Sequence, residues 1–125
     1  MSRILLDSTV FIDLTRGVVR ARTYLWSVAG EHELWSITPV RTELLAGVRP
    51  NEAPTLRELF AHIQWLDVTV ELADAAGALA TRYAKSHKIG TVNILLAAAA
   101  IELGGTVATL NVRDFPMFSG LQPPY

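Results

Sequence analysis

The sequence predicts an α/β fold in which a short, mainly parallel sheet carries helices on both of its faces. Short apolar runs that are typical of strands alternate along the chain with longer segments of helical periodicity. The first run, Ile4 to Leu6, is continuously apolar, as strands buried on both faces of a parallel sheet are. Parallel neighbours need crossover connections, which the intervening helical segments supply. In such folds functional residues lie at the carboxyl ends of the strands.

The first strand and the two helices after it follow from apolar spacing and turn residues. Ser8 or Thr9 is expected to cap a helix after the strand, and Gly17 is expected to end it. Its inward face comes from Val10 and Leu14, which are four residues apart. A second helix is predicted at 18–28, where apolar side chains again recur at helical spacing.

The next segment predicts a second strand and two more helices. The strand at 34–37 leads into Thr38, which is expected to cap a helix whose first position is Pro39, where the missing N–H costs nothing. Pro50 closes this helix. A further helix is marked by apolar residues at helical spacing within 56–63.

The remaining segment predicts the last two strands of the sheet and its most buried helix. Glycines 104 and 105 stop that helix, which is apolar on nearly every side and therefore belongs in the core. The predicted elements are a strand at 66–70, a helix at 72–83, the buried helix at 92–103, a strand at 106–109 and a helical turn at 112–115.

Composition favours one domain over residues 1–125 and excludes several classes of site. The chain has 125 residues of which 50% are hydrophobic, enough for one substantial core. A formal net charge of −1 gives no general attraction to nucleic acid, so any such binding depends on local patches. The basic clusters are Arg16 with Arg20 and Arg22, Arg41 with Arg49, and Lys85 with His87 and Lys88.

The absence of cysteine excludes disulfides, thiolate metal sites and cysteine nucleophiles. The longest apolar run, Ile94 to Ile101, is far shorter than the roughly 20 residues that a membrane helix needs. No signal-peptide core precedes Asp7. We therefore expect a cytoplasmic protein that does not associate with membranes.

Four polar side chains follow strand ends or begin helices in distant parts of the chain: Asp7, Glu43, Asn93 and Asp114. A parallel sheet would gather them at one edge. Magnesium and manganese prefer oxygen ligands and are usually held by a few carboxylates together with substrate phosphate. The pattern therefore predicts a metal-dependent nuclease site, with the three carboxylates as the expected metal ligands and the amide as the odd member.

Each of these acids also has a purely structural interpretation. Asp7 can cap the first helix. Asp114 has capping-box spacing from Asn111 and can accept its backbone N–H. Glu43 can be a solvated residue at the boundary of an apolar helix. Three further acids are weaker candidates for the site and are expected to be solvated or structural: Asp13, Asp67 and Asp74.

Three segments resemble the PIN-domain toxins of bacterial VapBC toxin–antitoxin modules: ILLDSTVFID at 4–13, ELLAG at 43–47 and TLNVRDF at 109–115. The resemblance runs over almost the whole chain. It implies a three-layer, PIN-like α/β/α sandwich and an Mg²⁺- or Mn²⁺-dependent endoribonuclease that cleaves structured RNA such as tRNA or rRNA. It also implies a homodimer, and an antitoxin partner whose C-terminal segment occupies the acidic groove in a toxin–antitoxin hetero-oligomer.

The resemblance assigns roles position by position. Asp7 matches the first acid of the family, Glu43 the second and Asp114 the last, whereas Asn93 stands where the family usually carries aspartate. The amide keeps the shape and one acceptor oxygen but removes a negative charge and adds N–H donors. Thr9 is a further candidate for contact with substrate or metal-bound water, although it can simply cap the helix.

Asn111 is a candidate for orienting Asp114. Asn93 leaves two interpretations open: a natural variant that works with three carboxylates, or a deliberate substitution that disables a toxin. It also leaves two functions open. The first is a metal-dependent ribonuclease toxin, and the alternative is a catalytically impaired PIN domain that acts mainly by binding its antitoxin.

Overall fold

A four-stranded parallel sheet forms the centre of the protein. The computed structural model describes residues 2–125. Its strands are β1 (Ser2–Leu6), β2 (His32–Ile37), β3 (Gln64–Leu66) and β4 (Thr106–Ala108), arranged in the order β3-β2-β1-β4. Leu6 is paired with Ala108, so β1 and β4 end at the same edge of the sheet.

Six α-helices and one short 3₁₀ helix connect and follow the strands in residues 2–125. The α-helices are α1 (Ser8–Thr15), α2 (Val19–Ala29), α3 (Thr38–Gly47), α4 (Ala53–Ala61), α5 (Val70–Tyr83) and α6 (Thr91–Leu103), and a 3₁₀ turn covers Val112–Asp114. Helix α6 packs on β1, β2 and β4 and carries α5 on its other side, while α1 packs with α2, α3 and α4. The predicted three-layer α/β/α architecture is confirmed.

Burial explains why the two central elements have the composition they do. Leu5 and Leu6 of β1 are completely buried, and in α6 the whole run Ala97–Ala100 is buried. Small alanine side chains let a helix approach the sheet closely while still removing apolar surface from water. The prediction that α6 is the core helix is therefore confirmed.

Several predicted boundaries are wrong, each for a local reason. The strand expected at 66–70 is instead β3 at Gln64–Leu66, because Thr69 caps α5 by accepting a hydrogen bond from the backbone N–H of Leu72. Ser8 and Thr9 lie inside α1, whose cap is Asp7. Thr38 likewise lies inside α3, whose N-cap is Ile37 and has no side-chain hydrogen bond.

An aromatic cluster joins α1, α4 and β3. The ring of Phe11 lies 6.1 Å from that of Phe60 and 5.9 Å from that of Trp65, measured between centroids. The guanidinium of Arg41 on α3 lies 4.4 Å from the Phe60 ring centroid and 5.1 Å from that of Trp65. Because a cation over an aromatic face is attracted to it, Arg41 ties α3 to this cluster.

None of the helices in residues 2–125 combines the length and the apolar character that a membrane crossing requires.

The junction between α6 and β4 depends on two glycines with different functions. Gly104 ends α6 in the left-handed conformation, with φ of 66°. Gly105 begins the approach of β4 to β1, and a Cβ atom added there would lie 2.4 Å from the backbone oxygen of Arg3. No such atom fits without moving one of the two strands.

We predict that Gly105→Ala lowers the free energy of unfolding by about 1–3 kcal/mol, the usual cost of forcing an extra carbon into a packed site. Gly77→Ala is the matched control. Gly77 lies within α5 with no atom within 4 Å of an added Cβ, so this change should stabilise the protein by about 0.5–1 kcal/mol. Urea denaturation measures both effects, and equal effects of the two substitutions would contradict the close approach of β4 to β1.

Candidate active site

Asp7 is a buried carboxylate at the carboxyl end of β1. Its side chain is 3% exposed, and its backbone N–H donates to the carbonyl of Ala108 at the end of β4. Oδ1 accepts hydrogen bonds from the backbone N–H of Ser8 at 2.8 Å and from the Ser8 hydroxyl at 3.4 Å. The expectation that Asp7 can cap α1 is confirmed, and this contact still leaves Oδ2 for other partners.

Two threonine hydroxyls converge on Oδ2 of Asp7. Thr109 donates to it at 2.7 Å and Thr9 at 3.1 Å. Thr109 is completely buried and directly follows β4, 102 residues away from Asp7 in the chain. A buried ionised carboxylate is tolerated when its oxygens are hydrogen-bonded, so these donors are what allow Asp7 to lie below the surface.

The same two hydroxyls hold the loop that follows β4. Thr9 accepts a hydrogen bond from the backbone N–H of Leu110 at 3.2 Å, and Thr109 accepts one from that of Asn111 at 3.0 Å. The backbone N–H of Asp114 in turn donates to the carbonyl of Asn111 at 3.0 Å. A continuous set of hydrogen bonds therefore links the Asp7 carboxylate to the turn that carries Asp114.

Asn93 meets Asp114 directly. Asn93 is the third residue of α6, is half-buried, and donates through Nδ2 to Oδ2 of Asp114 at 3.3 Å. An aspartate at position 93 would instead place two negative charges at this distance. The amide thus makes an attractive contact where two carboxylates would repel each other.

Glu43 makes no hydrogen bond to Asp7, Asn93 or Asp114 within residues 2–125. It is exposed on the second turn of α3 and lines a cavity of about 90 Å³ with Thr15, Arg16 and Glu52. Within residues 2–125 no three histidine, cysteine, aspartate or glutamate side chains are grouped so that they could hold a metal ion. Asp7, Glu43 and Asp114 thus do not form such a group within residues 2–125, and their shared role as metal ligands stays a prediction.

The remaining candidates have structural surroundings. Asp13 accepts a hydrogen bond from the Tyr125 hydroxyl at 2.7 Å, and burial together with this bond raises the pKa of Tyr125. Asp67 and Asp74 are exposed, as expected. The capping box between Asp114 and Asn111 is not formed, because Asn111 gives its backbone N–H to Thr109 instead.

Sequence reasoning missed Thr109 as a site residue. A threonine at the end of a β-branched run is typical of a strand, so composition alone gives it no functional weight. Its position was nevertheless informative, because it directly follows the strand that ends beside Asp7 in the sheet. A hydroxyl at the carboxyl end of a neighbouring parallel strand is a natural donor to a buried carboxylate.

Comparisons with known proteins identify relatives over most of the chain. The family model for the PIN domain matches residues 4–118. Ribonuclease VapC19 of Mycobacterium tuberculosis is 42% identical, over 97% of this chain and 98% of the relative. A DNA-bound VapBC structure from Salmonella typhimurium has a TM-score of 0.81 at 18% identity and covers 98% of this chain and 97% of its own.

A further solved structure is VapC20 of Mycobacterium tuberculosis, described as a sarcin–ricin loop cleaving toxin. It has a TM-score of 0.71 at 16% identity and covers 96% of this chain and 99% of its own. At these identities the two solved structures show a shared fold.

We predict that Thr109→Val lowers the free energy of unfolding by about 1–3 kcal/mol, because it removes a donor to buried Asp7 and leaves the Asn111 N–H without its acceptor. Thr109→Ser keeps the hydroxyl and is the control that loses only a methyl group, at a cost of about 1 kcal/mol. Chemical denaturation measures both. If valine proves as stable as serine, the hydroxyl does not support the buried carboxylate.

Proposed function

The chain belongs to the PIN-domain family, among the VapC ribonuclease toxins, and from this membership we propose that it is a divalent-metal-dependent endoribonuclease of a VapBC toxin–antitoxin module. We propose further that residues 1–125 form a single PIN-like domain and that the substrate is a structured RNA such as tRNA or rRNA. The fold shared with VapC20, described as cleaving the sarcin–ricin loop, supports this substrate class.

One observation carries the proposal: hydrogen bonds connect Asp7, Asn93 and Asp114, which come from three distant segments of the chain, at the carboxyl edge of β1 and β4. Asp7 and Asp114 are linked through Thr109 and the loop after β4, and Asp114 is in direct contact with Asn93. A solvated or capping role for each acid alone does not explain why these residues are connected. Binding of a shared positively charged ligand does explain it.

The oxygen donors at this edge fit Mg²⁺ or Mn²⁺. Both ions accept sites built from one or two carboxylates and keep several waters, so a closed protein cage is not needed. Asp7 and Asp114 would hold the ion, and Asn93 would present its amide oxygen after rotation of the amide group. Bound there, the metal would supply a water of lowered pKa and charge stabilisation for the scissile phosphate.

The protein's own residues hold these groups in place. Thr9 and Thr109 fix Oδ2 of Asp7, which leaves the loosest contact of the carboxylate at Oδ1, where the Ser8 hydroxyl lies 3.4 Å away. Asn111 keeps the turn that carries Asp114 against Thr109 through its backbone N–H. These contacts set the relative positions of the two acids before substrate arrives, as preorganised active sites require.

Glu43 is proposed as a catalytic residue that acts at a greater distance than the other acids. It is exposed, and its carboxylate has no hydrogen bond or ion pair within residues 2–125. Because such ions retain several waters, an acid outside direct contact can still bind a metal-held water. Glu43 is therefore assigned to that position and not to direct coordination.

A second candidate function is favoured by the contact between Asn93 and Asp114. The amide supplies an N–H donor to the carboxylate, so Asp114 is satisfied without a cation. A site stabilised in this way binds metal more weakly than one with an aspartate at position 93. The alternative is therefore a catalytically impaired PIN domain that acts mainly by binding its antitoxin.

The experiment that tests the proposal compares the chain with Asn93→Asp. The substitution should increase Mn²⁺-dependent cleavage of tRNA by about tenfold or more, the usual effect of restoring a partner of a metal ligand. Cleavage should disappear with EDTA. The midpoint of thermal unfolding of Asn93→Asp should also rise on adding Mn²⁺, because the cation relieves repulsion between residue 93 and Asp114.

Two controls make this comparison decisive. Asp7→Asn in the Asn93→Asp background should abolish both cleavage and the Mn²⁺-dependent stabilisation, while Asp74→Asn, on the exposed surface of α5, should change neither. If the unsubstituted chain cleaves as well as Asn93→Asp, a charge at position 93 is not critical. If neither chain cleaves with any divalent metal, the antitoxin-binding alternative is favoured.

We also propose that the protein forms a homodimer and binds a cognate antitoxin in a toxin–antitoxin hetero-oligomer. The shared fold with the Salmonella VapBC structure supports an antitoxin partner. An antitoxin arginine would match the acidic edge, since a guanidinium forms paired hydrogen bonds with carboxylates. The antitoxin would then take the place of the cation.

We predict that Asp114→Asn weakens antitoxin binding at least tenfold, because it removes the charge that a guanidinium would contact. Asp67→Asn is the control, since Asp67 is an exposed acid outside the set of contacts that joins Asp7 to Asp114. Calorimetry with the purified antitoxin measures both. An unchanged affinity for Asp114→Asn would show that the antitoxin does not contact this edge.

A further inference from the structure

Two arginines of this chain form similar ion pairs at different places in the fold. Arg3 pairs through Nε with Glu33 at 3.5 Å, at the amino end of β1 and β2. Arg16 pairs through Nε with Glu52 at 3.4 Å, after the end of α1. Their side chains are exposed to similar extents, 40% and 49%. Any difference in their roles must therefore come from the other contacts that each makes.

Most of the Arg3 guanidinium is in contact with other groups of the protein. Its Nη1 donates to the carbonyl of Leu103 at 3.2 Å, and its face lies 5.7 Å from the ring centroid of Trp35. By contrast, Glu52 is the sole side-chain partner that Arg16 has within residues 2–125. The two terminal nitrogens of Arg16 are therefore available, and a guanidinium offers paired donors of the kind that phosphate accepts.

The position of Arg16 links it to the proposed active site. It lines the same cavity of about 90 Å³ as Glu43, the acid on α3, and it is the only cation in that lining. Ile12, one helical turn earlier on α1, also lines this cavity. Arg16 and the proposed catalytic acid Glu43 therefore face one shared space.

The turn after α1 carries a second arginine side chain. Gly17 has φ of 74°, and a Cβ added to it would lie 3.3 Å from Nη2 of Arg22. Arg22 therefore folds back over this turn, and it has no ion pair within the described part of the chain. Arg22 therefore adds positive charge at Gly17, the residue that follows Arg16.

We propose that Arg16 binds a phosphate of the RNA other than the scissile one through its terminal nitrogens, while Glu52 holds its Nε and competes with the RNA for the guanidinium. This assignment rests on the proposed ribonuclease function and names a substrate-binding residue outside the acidic edge. It also explains how a chain with a net charge of −1 approaches a polyanion, since a local cation must oppose the acids.

A purely structural role for the pair makes a different prediction. If Arg16 and Glu52 serve only to hold α1 against the segment before α4, removing either partner should have the same effect. If Arg16 binds phosphate, Glu52 competes with the RNA for it, and removing the two partners should change RNA affinity in opposite directions.

The test measures binding of a fluorescein-labelled RNA hairpin by fluorescence anisotropy in EDTA, where metal-dependent cleavage cannot occur. Arg16→Gln should weaken binding about fivefold or more and reduce the slope of log affinity against log salt concentration by about 1, the signature of one lost phosphate contact. Arg16→Lys should keep the slope while lowering affinity, because charge remains and paired donation is lost. Glu52→Gln should tighten binding severalfold.

Arg3→Gln and Glu33→Gln provide matched controls at the opposite edge of the sheet, with the same change in charge. They should leave both the slope and the affinity nearly unchanged. Circular dichroism at the assay temperature verifies that each variant is folded. If Arg16→Gln does not fold, the effect of Arg16→Lys on affinity still tests the assignment.

Three results would overturn the assignment: an unchanged slope for Arg16→Gln, an equal fall in slope for Arg3→Gln, or weaker binding for Glu52→Gln. Failure of the hairpin to bind the unsubstituted chain would overturn it as well. Because the proposed function is tested separately by cleavage with Mn²⁺, an enzyme that cleaves RNA normally after Arg16→Gln would refute this inference alone.

Discussion

Burial of the Asp7 carboxylate is the constraint on which the rest of the site depends. A continuous run of leucine and isoleucine side chains carries β1 through the core and ends with this acid still 97% covered. A buried carboxyl group in such a place requires hydrogen-bond partners for its oxygens. Local backbone supplies Ser8, but Oδ2 needs Thr109 from the far end of the chain. The chemistry of one side chain therefore favours the pairing of β1 with β4.

Asn93 changes the electrostatics of this edge more than its geometry. An aspartate there would give this edge three carboxylates. These would repel one another and destabilise the folded protein until a cation binds. With the amide, Asp114 has an internal donor and the edge is stable as it stands. The position thus sets a balance between stability of the free protein and affinity for a cation. This exchange of stability for function is common at active sites.

The sequence allowed the sheet and most helices to be predicted, because apolar periodicity records which faces are buried. It misplaced β3, since the apolar residues after Leu66 look like strand although Thr69 already caps α5. Among the proposed site residues, Asp7, Asn93 and Asp114 could be predicted because each lies just after a strand or at the start of a helix. The orientation of Glu43 could not be predicted, because it depends on how α3 packs, and that depends on Arg41 and its aromatic partners.

The packing of α3 connects the core to the proposed RNA contact at Arg16. Arg41 is held over Phe60 and Trp65, which fixes the rotation of α3 about its axis and so turns Glu43 toward the cavity it shares with Arg16. Residues 41 and 43 lie on different sides of the helix, about 200° apart. Arg41 therefore packs within the fold, whereas Arg16 lies at the surface. A protein with little net charge can meet an RNA strand only by such individual placement of its cations, since its overall field gives no assistance.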